Sequence, residues 1–133
     1  MNYQGVVVEE SLENKEILRN VNISRTEIEE VTTSHKTPWI KQWTMHTVDI
    51  PEDQVEDFAE KMSKALDMEH AWYADFKNES FHYIIFRDKY FKVDRSKKEQ
   101  YNDVITFGIS LGIPDYQLDF SPYMNEWERS LYG

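Results

Sequence analysis

Between Glu69 and Arg95 the chain reads EHAWYADFKNESFHYIIFRDKYFKVDR: three runs of aromatic and β-branched residues cut by two polar breaks, Lys77-Asn78-Glu79-Ser80 and Arg87-Asp88-Lys89. Short runs of strand-forming residues bounded by turn formers are the pattern of an antiparallel meander. This meander sets the fold class, because the segments on either side must then pack against a sheet.

Outward from it, the clearest helix precedes the meander. Pro51 opens it, Glu52 and Asp53 suit the positive end of the helix dipole, and Val55, Phe58, Ala59, Met62, Ala65 and Leu66 make one apolar stripe. Glu60 and Lys64 are spaced as a favourable ion pair on this helix. After the meander, Ser96 with Glu99 has capping-box spacing. It predicts a helix with Tyr101, Val104, Ile105, Gly108 and Leu111 facing inward, ended by Gly112 and Pro114.

Earlier in the chain, Gln4 to Glu9 around Val6-Val7-Val8 reads as a first strand, followed by a short helix capped by Ser11 and running through Ile17, Leu18 and Val21. Arg25 to Thr33 is a low-apolarity edge strand, and His35 to Pro38 is a turn. Trp39 to Ile50 is a strand whose alternation puts Trp43, Met45 and Thr47 on one face and Thr44, His46, Val48 and Ile50 on the other.

The expected architecture is therefore α+β. An antiparallel sheet carries helices mainly on one face, in a ferredoxin-like βαββαβ order with an added hairpin and a C-terminal helix. Residues 1–120 form the single domain. Asp115 to Phe120 is extended, and residues 121–133 form a tail whose Tyr123, Met124, Trp127, Leu131 and Tyr132 dock as a short helix.

Of the 133 residues, 40% are hydrophobic and 30% charged, with four Gly and four Pro, which places the chain among folded globular domains. The longest apolar runs are too short to cross a bilayer and no signal pattern opens the chain, so the expected location is the cytoplasm. The absence of cysteine removes disulfides, thiol catalysis and thiolate metal ligation. A formal charge of -10 argues against nucleic acid and anionic membranes as partners. A basic island from Arg87 to Lys98 is the one local exception; it reads as solvated hairpin edges, with an anion site as the sharper alternative.

Asp75 stands out because it sits mid-strand among Trp72, Tyr73, Ala74 and Phe76, where a carboxylate is disfavoured and costly to bury alone. If Trp72, Ala74 and Phe76 face the helices, Tyr73 and Asp75 face away, together with Tyr90, Lys92 and His46 from neighbouring strands. Trp43, His46, Tyr73, Asp75, Tyr90 and Lys92 are the candidate ligand-binding residues on that open face, with an Asp75–Lys92 cross-strand pair as the simplest arrangement. The four histidines lack metal-site spacing; a metal site would need His46, His70, His82 and Asp75 assembled across strands. No cofactor is expected, and no catalytic motif is present.

Lys36 to Val48 (KTPWIKQWTMHTV), Trp72 to Asn78 (WYADFKN), His82 to Phe86 (HYIIF) and Leu111 to Phe120 (LGIPDYQLDF) resemble segments of small bacterial proteins of uncharacterised function. The likeness extends to about Phe120 and implies no activity, cofactor or catalytic residue. The sequence thus leads to a non-enzymatic module that binds a small-molecule ligand or forms a homodimer through the open sheet face. Two other readings remain: a small acid–base enzyme using Asp75 and His46 with a tyrosine, and an acidic module that binds a basic protein partner.

Overall fold

The computed structural model describes residues 2–31, 40–70, 72–113 and 118. Strand β1 (Tyr3–Val8) leads through two 3-10 turns, Glu9–Ser11 and Lys15–Asn20, to strand β2 (Asn22–Glu30). Strand β3 (Gln42–Ile50) follows, then helix α1 (Val55–Ala65), the meander β4 (Tyr73–Lys77), β5 (Phe81–Phe86) and β6 (Lys89–Asp94), and helix α2 (Tyr101–Ser110). All six strands join one antiparallel sheet in the order β2-β3-β1-β4-β5-β6. The α+β class and the antiparallel sheet are as expected. The sheet is not a simple ferredoxin-like one, since β1 pairs β3 antiparallel and β5 and β6 extend it beyond β4.

Helix α1 buries the stripe its spacing predicts: Val55, Phe58, Ala59, Met62 and Ala65 are all buried. It packs on the face that carries Tyr3 and Val7 of β1, Val48 and Ile50 of β3, Ala74 and Phe76 of β4, and Tyr83 and Ile85 of β5. Ile17, Leu18 and Val21 of the first crossover pack against the same core. The alternate residues of β5 and β6, Ile84, Phe86 and Val93, form a second core with Val104 of α2, Ile113 and Leu118.

The two α-helices therefore lie on opposite faces, which corrects the expectation of helices mainly on one. The cause lies in β5, whose residues His82 to Phe86 are all buried. A strand apolar on both faces needs cover on both.

Local chemistry explains the other departures. The first crossover forms 3-10 turns instead of an α-helix. Ser11 donates its hydroxyl to Val8 O at 2.6 Å, and Asn14 caps the second turn by accepting from Glu16 N at 3.0 Å. The crossover is also tied to α1, with Glu13 N donating to Ala65 O at 2.7 Å and Asp67 N to Ser11 O at 2.8 Å. Ser96 does not cap α2: its hydroxyl donates to Asp94 Oδ1 at 2.7 Å, and a 3-10 turn, Lys98–Gln100, precedes the helix.

In place of the expected Glu60–Lys64 pair, Lys61 meets Asp57 at 3.0 Å and Lys64 meets Asp88 at 3.0 Å. Gly112, with φ of 92°, ends α2 as predicted, and Ile113 N donates back to Gly108 O at 3.1 Å in a Schellman arrangement. The expected turn at His35 to Pro38 and the docked tail 121–133 lie outside the described residues. Of the expected extended segment Asp115 to Phe120, only Leu118 is described, and it is buried.

Two features hold the middle of the sheet. Gly5 of β1 lies so close to β4 that a Cβ there would sit 1.9 Å from Asp75 O and 2.7 Å from Phe76 Cδ1. The β5–β6 hairpin turns at Arg87 and Asp88. Asp88 takes a left-handed φ of 62°, which aspartate tolerates, and its N–H donates to Ser63 O at 3.0 Å, fastening the hairpin to α1.

Candidate functional site

Residues directly opposite in antiparallel strands share a face, so the pairing registers fix where the six candidate residues stand. Tyr73 is opposite Phe86 and Asp75 opposite Ile84, which puts both on the α2 face. Tyr90 is opposite Ile85 and Lys92 opposite Tyr83, which puts both on the α1 face. His46 is opposite Val7, also on the α1 face, near the β2 end of the sheet. Trp43 is buried with its ring 5.5 Å from that of Trp72. The single constellation expected on one open face is therefore divided between two faces.

The expected Asp75–Lys92 pair is absent for the same reason. Lys92 Nζ stands 4.4 Å over the Phe81 ring, and Tyr90 donates its hydroxyl to Glu56 Oε1 on α1 at 3.3 Å. Burial pushes the Tyr83 phenol up to about 12, with the Glu56 charge acting in the same direction. Burial likewise raises Tyr3 and Tyr90, with Glu56 adding to both.

Asp75 instead meets His82. The β4–β5 turn is closed by Asn78, whose Oδ1 accepts from Ser80 N and Phe81 N at 2.8 Å each. That turn sets Lys77 opposite His82 and leaves Asp75 diagonal to the imidazole on the same face. His82 Nε2 lies 2.6 Å from Asp75 Oδ2, and His82 Nδ1 lies 3.0 Å from the Tyr101 hydroxyl on α2. The Asp75 carboxylate accepts from His82 Nε2–H, and the Tyr101 hydroxyl closes the line at Nδ1. The side chains of His82 and Asp75 are 2% and 7% exposed, while Tyr101 is half-buried at the rim. A carboxylate, an imidazole and a phenol in line can pass a proton between core and rim, and they also tie α2 to the sheet.

Tyr101 was not among the candidate residues, and His82 was paired with Asp75 only as part of the metal set. The hairpin itself held the signal for His82, because a turn at Asn78 to Ser80 places Asp75 and His82 one diagonal apart.

The remaining described histidines have separate partners. His46 Nδ1 is 2.8 Å from Thr26 Oγ1 and its Nε2 3.1 Å from Glu9 Oε1. Beside it Glu10 accepts from Thr44 N and Oγ1 at 2.6 and 2.8 Å. His70 Nδ1 is 2.7 Å from Asp67 Oδ2. Burial pushes the Asp67 carboxyl up, but hydrogen bonds from His70 and Glu69 N–H together outweigh it and leave the group below its ordinary value. The cross-strand metal set is thus not assembled, and His35 lies outside the described residues.

Much of the basic island is engaged within the chain. Arg87 donates to Glu13 and to the carbonyls of Lys64 and Leu66, and Arg95 donates to Asn78 O.

A groove of about 1200 Å³ runs between the first crossover, the end of β3 and α1. Ile17, Val21, Ile50 and Phe58 supply apolar surface, and Glu16, Asp49, Asp53, Asp57 and Glu60 line it with carboxylates. Its cations among the described residues, Lys61 and Lys64, meet Asp57 and Asp88. The groove presents an apolar floor within a strongly acidic wall, suited to a cationic group on an apolar stem. Compared with protein-family models, with curated proteins and with solved structures, the chain matches none.

Proposed function

We propose that the protein is a non-enzymatic binding module whose recognition surface is the acidic groove beside α1, and that its ligand is a basic, amphipathic segment of a protein partner. The observation that carries this reading is the combination of apolar floor and carboxylate wall, with both groove lysines already paired. The net charge of -10 favours the same class of partner and steers its approach. A cationic helix would lay apolar residues on Phe58 and Ile17 and its basic residues on the wall, a familiar way of binding an amphipathic helix in a groove.

The test is a titration with an amphipathic Lys/Leu peptide at helical spacing. Binding is expected to weaken steeply with salt and to fall when Asp53 and Asp57 are both changed to Lys. Salt-insensitive binding, or none, would overturn the reading.

A second reading rests on the Asp75–His82–Tyr101 line, which supports acid–base chemistry with Tyr101 as the group at the rim. It requires Tyr101→Phe to abolish a turnover while leaving the fold intact. The near-complete burial of His82 and Asp75 is why we rank it below binding.

A further inference from the structure

The two edges of the sheet are built differently. β6 carries Lys89 and Lys92, the residue type that discourages strand addition, whereas β2 has neither lysine nor proline along its nine residues. β2 is also exposed nearly throughout, with Ile28 at 65%, and among the described residues no strand pairs with its outer side. A bulge between Ile23 and Arg25 interrupts its start, leaving a regular ladder from Arg25 to Glu30. We infer that β2 is the edge along which two copies of this chain join, antiparallel, about a two-fold axis at Thr26, forming one continuous sheet.

The register follows from charge. In a two-fold antiparallel pair each residue faces one on the same side of the sheet, so the axis passes through a residue. Centred on Ile28, the pairing sets Glu27 against Glu29 twice. Centred on Glu27, it sets that carboxylate against itself. Centred on Thr26, it sets Arg25 against Glu27 twice, Thr26 against Thr26 and Ser24 against Ile28, with no like charges opposed. Arg25 already bonds Glu27 within its own strand, so the same two side chains need only turn toward the neighbour. The charge of -10 disfavours indiscriminate contact between copies, which leaves the register that opposes unlike charges.

Sedimentation velocity over a concentration series tests this directly. Wild type is expected to show a reversible dimer, Arg25→Glu to weaken it roughly tenfold, and the swap Arg25→Glu with Glu27→Arg to restore it. The natural chain lacks cysteine, so Thr26→Cys should oxidise to a covalent dimer, whereas Ile28→Cys, opposite Ser24, should not. Circular dichroism checks that each variant is folded. A wild type that stays monomeric throughout overturns the inference. An unrescued swap, or cross-linking at position 28 in place of 26, overturns the register.

Discussion

His82 and His46 each meet a carboxylate in this sheet, and the two pairs sit in opposite surroundings. His82 and Asp75, 2% and 7% exposed, lie beneath α2 on strands that also carry the α1 core on their other face. His46 and Glu9, 10% and 34% exposed, lie at the polar end of the sheet, next to a strand that is nearly all in water. The first pair is short, desolvated and flanked by a phenol; the second is longer and shared with Thr26. The same chemical pair is thus enclosed on both sides in one place and, in the other, joins a buried imidazole to a carboxylate that reaches water, so the dielectric around it differs.

The sharpest break of this comparison comes from the strand beneath Asp75. Gly5→Ala drives a Cβ into the Asp75 carbonyl, a backbone atom that cannot rotate away. A loss of roughly 4 kcal/mol or outright failure to fold is expected in urea unfolding. A mild effect would show that β1 and β4 can separate without disturbing the pair.

Next in size, Asp75→Ala leaves the His82 imidazole buried without its carboxylate and should cost about 3 kcal/mol. His46→Ala should cost about 1 kcal/mol, since water can replace the partners of Glu9 and Thr26. Equal costs in the same unfolding assay would erase the distinction between the enclosed pair and the half-open one.

The buried half should also have its own response to alkali. The Tyr83 phenol is neutral when protonated, and burial favours that form. Between its ordinary value of 10 and about 12, the unfolded chain therefore holds fewer protons than the folded one, and stability falls as pH rises through this window. The loss should approach about 2 kcal/mol, and Tyr83→Phe should flatten the slope. An unchanged slope in the phenylalanine variant would place the alkaline weakness elsewhere.

The smallest effect is expected at Gly108, where a Cβ would meet only the tip of Leu118, 2.8 Å away. A flexible side chain can shift, and alanine favours the helix by roughly 1 kcal/mol, so Gly108→Ala should change stability by less than about 1 kcal/mol in either direction. A loss as large as that at Gly5 would mean that Leu118 is as fixed as the backbone under Asp75.

What could be read from the sequence follows the range of the interactions. The α1 stripe, the three meander strands and the polar character of β2 each arise within a dozen residues, and periodicity shows them. Alternation also places Tyr73 and Asp75 together, and Tyr90 and Lys92 together. It does not say how one strand is phased against another, and that phase decided the site. Lys92 falls opposite Tyr83 through the register of the β5–β6 hairpin, and His46 falls opposite Val7 only once β1 enters between β3 and β4. At Ser11 and Ser96 the hydroxyls turn back to acceptors earlier in the chain, Val8 O and Asp94, and no α-helix starts at either residue.

Strand β1 sits between β3 and β4 although it precedes both in the chain. The meander and its link to α1 can assemble from near neighbours, whereas β1 must close two long loops before any of its bonds is rewarded. Loop closure thus favours β1 entering last, with the inner flanks of β3 and β4 unpaired until it does.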